Sequence, residues 1–242
     1  MDRGGPALVS VYPKLRYMKK TNIKNTALLS VLALGLSIPV FAQNAPQTQA
    51  ADPGPGLVGS NYSEVSFGYQ KQGGSPKSLR DYGFVSNGSI FRQDAYGLDA
   101  NFRYDYLSGA AYGQSDRRNQ ALLGVTGYLL ETWGKPFVTV DAGYAWQDVA
   151  GVSRRSFAYT ASTGIEFQLL KNLALTPFVE YQAEPHLYNR GLPLTNWPDR
   201  DTYYGLKATY RITREWGASV GVDLDRHSTN DFGVKAGLSY RF

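Results

Sequence analysis

The sequence predicts an all-β protein, a closed antiparallel up-and-down β-barrel of ten strands that crosses a membrane. Three features of its 242 residues support this prediction. The last residues alternate between apolar and polar side chains up to the C-terminus, similar segments recur along the chain, and a leader typical of secreted proteins precedes them. Eight strands are the alternative, if residues 82–92 and part of 59–72 belong to a loop instead.

The C-terminal segment is the clearest strand. Residues 231–242 read DFGVKAGLSYRF, in which every second side chain from Phe232 to Phe242 is apolar or small, and the side chains between them are small or charged. A period of two residues is that of a β-strand with one apolar face and one polar face. An open apolar strand edge invites aggregation, whereas a strand that closes a barrel and faces lipid does not.

The N-terminal region has the pattern of a secretory leader. A basic stretch at 18–20 precedes an apolar run over 27–40, and Val40 and Ala42 are the small residues at positions −3 and −1 before Gln43. The run is too short and wrongly flanked for a membrane helix, so it indicates a signal peptide. The next residues are rich in Pro, Gln and Ala, as in disordered segments. The predicted organisation is an untranslated extension over 1–17, a signal peptide over 18–42, a disordered periplasmic linker over 43–56 and the barrel over 57–242.

Nine further segments precede the terminal strand and share its period of two, although 82–92 and 118–132 alternate poorly. They cover 59–72, 82–92, 96–107, 118–132, 136–148, 155–170, 173–184, 201–213 and 216–227. Their connections alternate between short turns (93–95, 133–135, 171–172, 214–215) and mostly longer loops (73–81, 108–117, 149–154, 185–200). This alternation is typical of outer-membrane barrels, which have short turns on one side and longer loops on the other.

The direction of the apolar face distinguishes a membrane barrel from a soluble one, which would turn that face inward. The apolar face carries more Tyr and Phe than a small barrel interior easily packs. The polar face is rich in Gly, Ser and Thr, which suits a narrow lumen. Trp133 and Trp216 lie beside short turns and Trp146 lies near the opposite strand end, as in interfacial aromatic girdles. We therefore expect the apolar face to contact lipid.

Composition excludes several classes of function. The chain has no cysteine, so disulfides and thiolate metal sites are excluded. The first 42 residues hold six basic side chains against one acidic one, which accounts for the whole formal charge of +5. The remaining chain is balanced, so we expect no nucleic-acid partner. Gly-rich phosphate loops, metal-ligand clusters and redox motifs are absent from the sequence, and we expect no cofactor.

The terminal LSYRF at 238–242 resembles the last strand of the small outer-membrane β-barrel proteins of Gram-negative bacteria, the OmpX-like, opacity-type and OmpA-barrel-like group. The resemblance extends in pattern over 57–242. It implies a monomer in the bacterial outer membrane, in contact with lipid and with both termini in the periplasm. It also implies that the barrel-assembly machinery recognises Leu238, Tyr240 and Phe242. Two arginine pairs lie at predicted strand ends on the expected outer side, where they either pair with phosphates of lipopolysaccharide or are solvated: Arg117 with Arg118, and Arg154 with Arg155.

An apolar exterior would turn the charged side chains of the strands into the lumen. The predicted lumen network consists of Glu64, Asp99, Arg103, Asp105, Asp141, Glu166, Glu180, Glu184, Lys207, Arg211, Asp223, Asp225, Lys235 and Arg241. Because buried charges persist only when they are paired or hydrated, these residues imply either a network of ion pairs or a narrow wet channel. The nine carboxylates outnumber the five bases, so any permeation would favour cations.

The functional expectation is a structural or surface-interaction role, with loop 185–200 as the contact surface for an extracellular ligand. The first alternative is a narrow, weakly cation-selective channel. The second is a hydrolase in which Asp225 orients His227 as a base, since both residues lie on one face near the rim. Ser228 follows His227 directly and would point to the opposite face, so we expect no enzyme.

Overall fold

The computed structural model describes residues 54–71, 78–111, 114–149, 152–184, 200–226 and 232–242. Across these ranges the chain forms ten β-strands, and no helix there is long and apolar enough to span a bilayer. The strands are β1 (Tyr62–Lys71), β2 (Ser78–Arg92), β3 (Tyr96–Ala111), β4 (Gln114–Leu129), β5 (Lys135–Val149), β6 (Val152–Leu170), β7 (Leu173–Ala183), β8 (Arg200–Arg211), β9 (Trp216–Asp225) and β10 (Phe232–Arg241).

The strands form one closed barrel in which each strand pairs antiparallel with its neighbours in sequence. The barrel closes between β1 and β10, whose register runs from Tyr62↔Arg241 to Lys71↔Phe232. Closure leaves no open sheet edge around the wall. The predicted ten-stranded up-and-down barrel is therefore confirmed, and the eight-stranded alternative is wrong because 82–92 lies within β2 and pairs on both sides.

Side chains alternate between the two faces of the wall as the period of two predicts. Each of the ten described strands exposes at least one large apolar side chain on the outside and buries at least one polar or charged side chain on the inside. Such an apolar exterior suits lipid, and strands of about 9–11 residues are long enough to cross a bilayer at a tilt. The apolar face of the barrel wall therefore points outward.

The two segments that alternated poorly in sequence have different explanations. In β4, Leu122 is only 1% exposed and packs inside against Ala145 and Ala158, whereas Leu123 is 66% exposed on the outside. In β2, the register with β3 shifts between Ser89 and Phe91, and a bulge of this kind changes which face each side chain occupies. Neither segment breaks the barrel wall.

Two predicted loops are mostly strand. The loops expected at 108–117 and 149–154 shrink to the connections 112–113 and 150–151, because the paired strands continue through polar residues. Strands β2 to β6 have 15–19 residues, whereas β7 to β10 and β1 have 10–12. One half of the wall is therefore taller than the other. Polar strand ends outside a lipid layer lack the apolar alternation by which sequence identifies strands.

Candidate functional site: a charged lumen with a closed mouth

The two ends of the barrel differ in their connections. The short-turn end carries the connections 93–95, 130–134, 171–172 and 212–215, together with the first described residues and the C-terminus. The opposite end, which we call the long-loop end, carries the connection between β7 and β8. Aromatic pairs line the outside of the short-turn end, where Trp133 lies 6.4 Å from Phe167 and Trp216 lies 5.1 Å from Tyr240 between ring centres. Such girdles mark a membrane interface.

Ion pairs across the lumen hold opposite parts of the wall together. Arg103 Nη1 lies 2.8 Å from Glu180 Oε2, which joins β3 to β7, and Arg103 Nε lies 2.5 Å from Asp105 Oδ2. Lys207 on β8 lies 2.8 Å from Glu64 on β1. Since β3 and β7, and likewise β8 and β1, are not neighbours in the barrel, the Arg103–Glu180 and Lys207–Glu64 pairs reach through the interior, whereas Arg103 and Asp105 pair within β3. Charge-assisted hydrogen bonds of this length are the strong ones, so the lumen is a structured core rather than an open tube.

Further ion pairs extend this network. Lys235 Nζ lies 2.6 Å from Asp81 Oδ2, and Arg118 pairs with Glu184. Asp81, Arg118 and Lys135 were not in the predicted lumen network, because Asp81 fell in a predicted loop, Lys135 in a predicted turn and Arg118 at a strand end. In the sequence, each of them is only a charged residue beside a turn. A solvated surface residue has the same pattern, so the sequence does not distinguish the two.

The lumen contains two cavities that meet at a waist. The larger has a volume of about 300 Å³ and includes Arg103, Glu180, Asp223 and Lys235 in its lining. The smaller has a volume of about 160 Å³ and lies between the waist and the short-turn end. The side chains of Tyr62, Thr139, Phe178 and Lys207 line both cavities and form the waist.

The short-turn mouth is filled by the chain itself. The segment Gly54–Ser60, which we call the N-terminal plug, precedes β1 and enters the barrel, where Leu57 is only 6% exposed and Pro55 is fully buried. Its backbone makes nine hydrogen bonds with six side chains of the wall, seven accepted by carbonyl oxygens and two donated by N–H groups. These side chains belong to β2, β5, β6, β8 and β10, so the plug is held from several sides of the mouth.

Arg241 makes the largest number of these contacts. Its Nη1 donates to the carbonyl oxygen of Gly54 (2.8 Å), and its Nη2 donates to those of Pro55 (2.5 Å) and Gly56 (2.7 Å). Arg211 Nη2 also donates to the carbonyl oxygen of Gly54 (2.6 Å). Buried backbone carbonyls require such partners, and here two guanidinium groups supply them.

Glu166 binds the N–H groups of the plug backbone, whereas the two arginines bind its carbonyl oxygens. Its Oε2 accepts from the backbone N–H groups of Leu57 (2.6 Å) and Val58 (3.0 Å). Lys135 Nζ donates to Glu166 Oε1 (3.0 Å) and to the carbonyl oxygen of Val58 (3.0 Å), which fixes the carboxylate in place. The plug is thus bound through its backbone by charged and polar side chains of the wall, and none of these nine hydrogen bonds involves a side chain of the plug itself.

Two glycines allow the plug to lie this close. A Cβ at Gly56 would stand 1.8–2.1 Å from the carboxylate of Glu166. Gly59 has φ +73°, a left-handed conformation, and a Cβ there would stand 2.8 Å from the ring of Tyr128. Gly54–Gly56 lie in the mouth instead of the predicted linker, and β1 begins at Tyr62 rather than at the predicted Gly59.

The structure places the predicted lumen residues as follows. All fourteen are buried or partly buried, and Asp99, Asp141, Glu166 and Arg241 are among the most buried polar residues. Arg211 and Arg241 contact the plug, as described. Within the described ranges, Asp99, Asp141 and Asp223 have no Lys or Arg nitrogen within 4.0 Å. The lumen network is therefore only partly an ion-pair network.

The other predicted sites are only partly described. Asp225 ends β9, whereas His227 and Ser228 lie outside the described residues, as do 185–199 of the predicted contact loop. The predicted cleavage site at Val40, Ala42 and Gln43 lies outside them too. Leu238, Tyr240 and Phe242 point outward and are 48%, 43% and 37% exposed. In the ranges that the structure describes, no group of three or more His, Asp or Glu side chains could hold a metal ion.

Comparisons with known proteins show similarity at the level of structure. No family model and no curated protein matches the chain. The barrel is similar to the translocator domain of the autotransporter NalP from Neisseria meningitidis (12% identity, 90% of this chain and 97% of that chain, TM-score 0.41). It is also similar to the outer membrane enzyme PagL (11%, 74% and 99%, TM-score 0.39) and to Ail, the attachment invasion locus protein of Yersinia pestis (12%, 76% and 97%, TM-score 0.36). Similarities at this level assign neither a location nor an activity to this chain.

Proposed function

We propose that this protein is an integral β-barrel of the bacterial outer membrane with a closed lumen, and that it acts by binding a partner at its long-loop end. The observation that carries the proposal is the occupied mouth. A barrel whose interior is crossed by ion pairs and whose short-turn end is filled by its own chain does not provide an open path. Binding at an exposed end then remains as the function that this geometry supports best.

The outer-membrane location rests on the exterior and on the terminal strand. Exposed apolar side chains on each described strand need lipid as their surroundings, and closed barrels are the sheet structure that crosses a bilayer without unpaired backbone groups. In this orientation both termini lie in the periplasm and the long-loop end faces outward. Assembly would proceed through recognition of Phe242, and Phe242→Ser should reduce the amount of heat-modifiable barrel in membranes.

The taller half of the wall supports a surface role. Strands β3 to β6 continue beyond the point where β7 joins β6, since that ladder begins at Tyr159↔Ala183. In this half, Arg155 on β6 is exposed and pairs in register with Trp146 on β5. Guanidinium groups pair well with phosphates, so this rim suits lipopolysaccharide. Loop 185–200 follows β7 and would offer the contact surface for an extracellular ligand.

Planar-bilayer conductance tests the closed lumen directly. The mature protein, refolded in detergent and verified by heat-dependent gel mobility, should insert without discrete conductance steps. Steps in the unmodified barrel would refute the closed lumen and would establish the alternative, a narrow channel. That alternative has its own support in the lining of the two cavities, where eight carboxylates accompany four basic side chains and would favour cations.

The hydrolase alternative is tested separately. It requires His227 as a base oriented by Asp225. His227→Ala should leave every measured property of the barrel unchanged, including any lipid-modifying activity found in membranes that contain it. A loss of such activity in His227→Ala, with the barrel still folded, would contradict the expectation that the protein is not an enzyme.

A further inference from the structure

We propose that the N-terminal plug is a displaceable gate and that the barrel is a latent cation pore. This inference rests on the proposed closed lumen and adds that closure is local. It assigns closure of the short-turn mouth to seven residues, Gly54–Ser60, rather than to the strands of the wall. Release of these residues from the mouth would join the two cavities to the short-turn side.

The plug is built to be held and released as a unit. Asn61 joins it to β1. Its remaining contacts with the wall include nine hydrogen bonds between plug backbone atoms and six side chains. It adds no strand to the barrel, because β1 already pairs with β2 and β10. Removing the plug from the mouth therefore breaks no strand pairing.

Gly59 is a suitable pivot for this movement. It lies two residues before Asn61, has φ +73°, and lacks the side chain that would restrict its backbone. Arg241, Arg211 and Glu166 hold the plug through backbone atoms of residues 54–58. All of these atoms precede the pivot in the chain. Rotation at Gly59 would withdraw the anchored part together.

Behind the plug, the lumen is suited to small cations. The smaller cavity includes Asp99 and Glu166 in its lining, and the larger includes Glu64, Asp81, Asp141 and Glu180. Arg211 and Arg241 donate to the plug and do not line either cavity. The carboxylate excess therefore remains where an ion would pass. The waist at Tyr62 and Phe178 would keep the path narrow, so the conductance of the released state should be small.

Single substitutions can release the plug without changing the strands. Gly56→Ala would place a methyl group within about 2 Å of the Glu166 carboxylate, so that either the carboxylate or the plug must move. Arg241→Gln would remove three of the nine hydrogen bonds. Gly127→Ala is the matched control, because a Cβ there has no atom nearer than 4.0 Å.

The test combines conductance with thiol accessibility in the full mature chain. The natural sequence has no cysteine, so Leu57→Cys provides a single reporter within the plug. In planar bilayers under a KCl gradient, Gly56→Ala and Arg241→Gln should show discrete steps with a cation-selective reversal potential, and Gly127→Ala should be silent. A water-soluble maleimide should label Leu57→Cys at least tenfold faster when Arg241→Gln is also present.

The outcomes separate the inference from the function on which it rests. Steps from the unmodified protein would refute the closed lumen itself. Silent variants with unchanged labelling rates would overturn the gate, while the closed lumen would stand. Faster labelling without conductance would show a plug that moves over a lumen sealed elsewhere, which also overturns the latent pore. Loss of heat-modifiable folding in both variants would make the plug part of the wall and would equally refute its role as a gate.

Discussion

Replacing Arg103 with Met removes the charge that bridges β3 and β7. It leaves Glu180 without its partner at 2.8 Å and removes the 2.5 Å contact to Asp105. Breaking a buried pair from one side costs about 3–5 kcal/mol, because the other charge remains buried. The Arg103 side chain is 21% exposed to the lumen, so water compensates in part and we expect the lower end, about 3 kcal/mol.

A double-mutant cycle with Glu180→Met tests whether the loss in Arg103→Met comes from the unpaired Glu180 carboxylate. In Arg103→Met with Glu180→Met, the stranded carboxylate is gone and Asp105 still has Lys235 Nζ at 4.0 Å. The double variant should therefore lose only about 1 kcal/mol, since replacing both partners of a buried pair by apolar groups is often close to neutral. Urea unfolding of the refolded barrel, followed by tryptophan fluorescence, measures all of these free energies.

Lys171→Met is the control for loss of a positive charge, because Lys171 is exposed in the turn between β6 and β7. It should change the free energy of unfolding by less than about 0.5 kcal/mol. If Arg103→Met were equally mild, or if the double variant cost the sum of the two single ones, the ion pair would not be part of the core and the lumen would be a hydrated channel.

Three further predictions concern the exterior, the plug and the leader. Val220→Arg places a charge on the outward face, where Val220 is 55% exposed, and should lower the free energy of unfolding by about 2–4 kcal/mol near the bilayer midplane, whereas Val220→Leu should not. Gly59→Ala forces a left-handed residue with a Cβ 2.8 Å from Tyr128, so it should cost about 1–2 kcal/mol in the same assay, against no loss for Gly127→Ala. The mature protein isolated from membranes should begin at Gln43 by mass spectrometry, and it would contain no methionine because Met1 and Met18 are the only two; a retained Met18 would contradict the cleavage.

The barrel architecture was predictable because a strand can be recognised from the alternation of its own residues, without knowledge of its partners. Alternation of side chains along β10 is visible within twelve residues, and short turns such as 171–172 punctuate it. The prediction failed where the local signal changes for a structural reason. The bulge at Ser89 changes the phase of β2, and the polar ends of β3 to β6 have the composition of loops although they are paired.

The plug could not be predicted because its contacts are non-local and carry no side-chain pattern. Glu166 accepts from Leu57 across 109 residues, and Arg241 donates to Gly54 across 187. In both cases the plug contributes backbone atoms, which every residue has. The inward direction of Glu166 and Arg241 follows from alternation, whereas their partners do not. A Gly- and Pro-rich stretch such as DPGPG is equally typical of a solvated linker and of a peptide that must fit closely against a wall.

Two of the five predicted lumen bases bind the plug instead of lining the cavities. Arg241 and Arg211 line the short-turn mouth and donate to the carbonyl oxygens of Gly54 to Gly56, so they do not neutralise carboxylates deeper inside. Asp99, Asp141 and Asp223 face the lumen without a Lys or Arg nitrogen within 4.0 Å in the described part of the chain. A barrel that only needed a rigid core would gain from pairing these charges or replacing them with apolar residues. Their retention behind a plug held by hydrogen bonds fits the openable interior that we propose, and it is the reason to test the mouth before the loops.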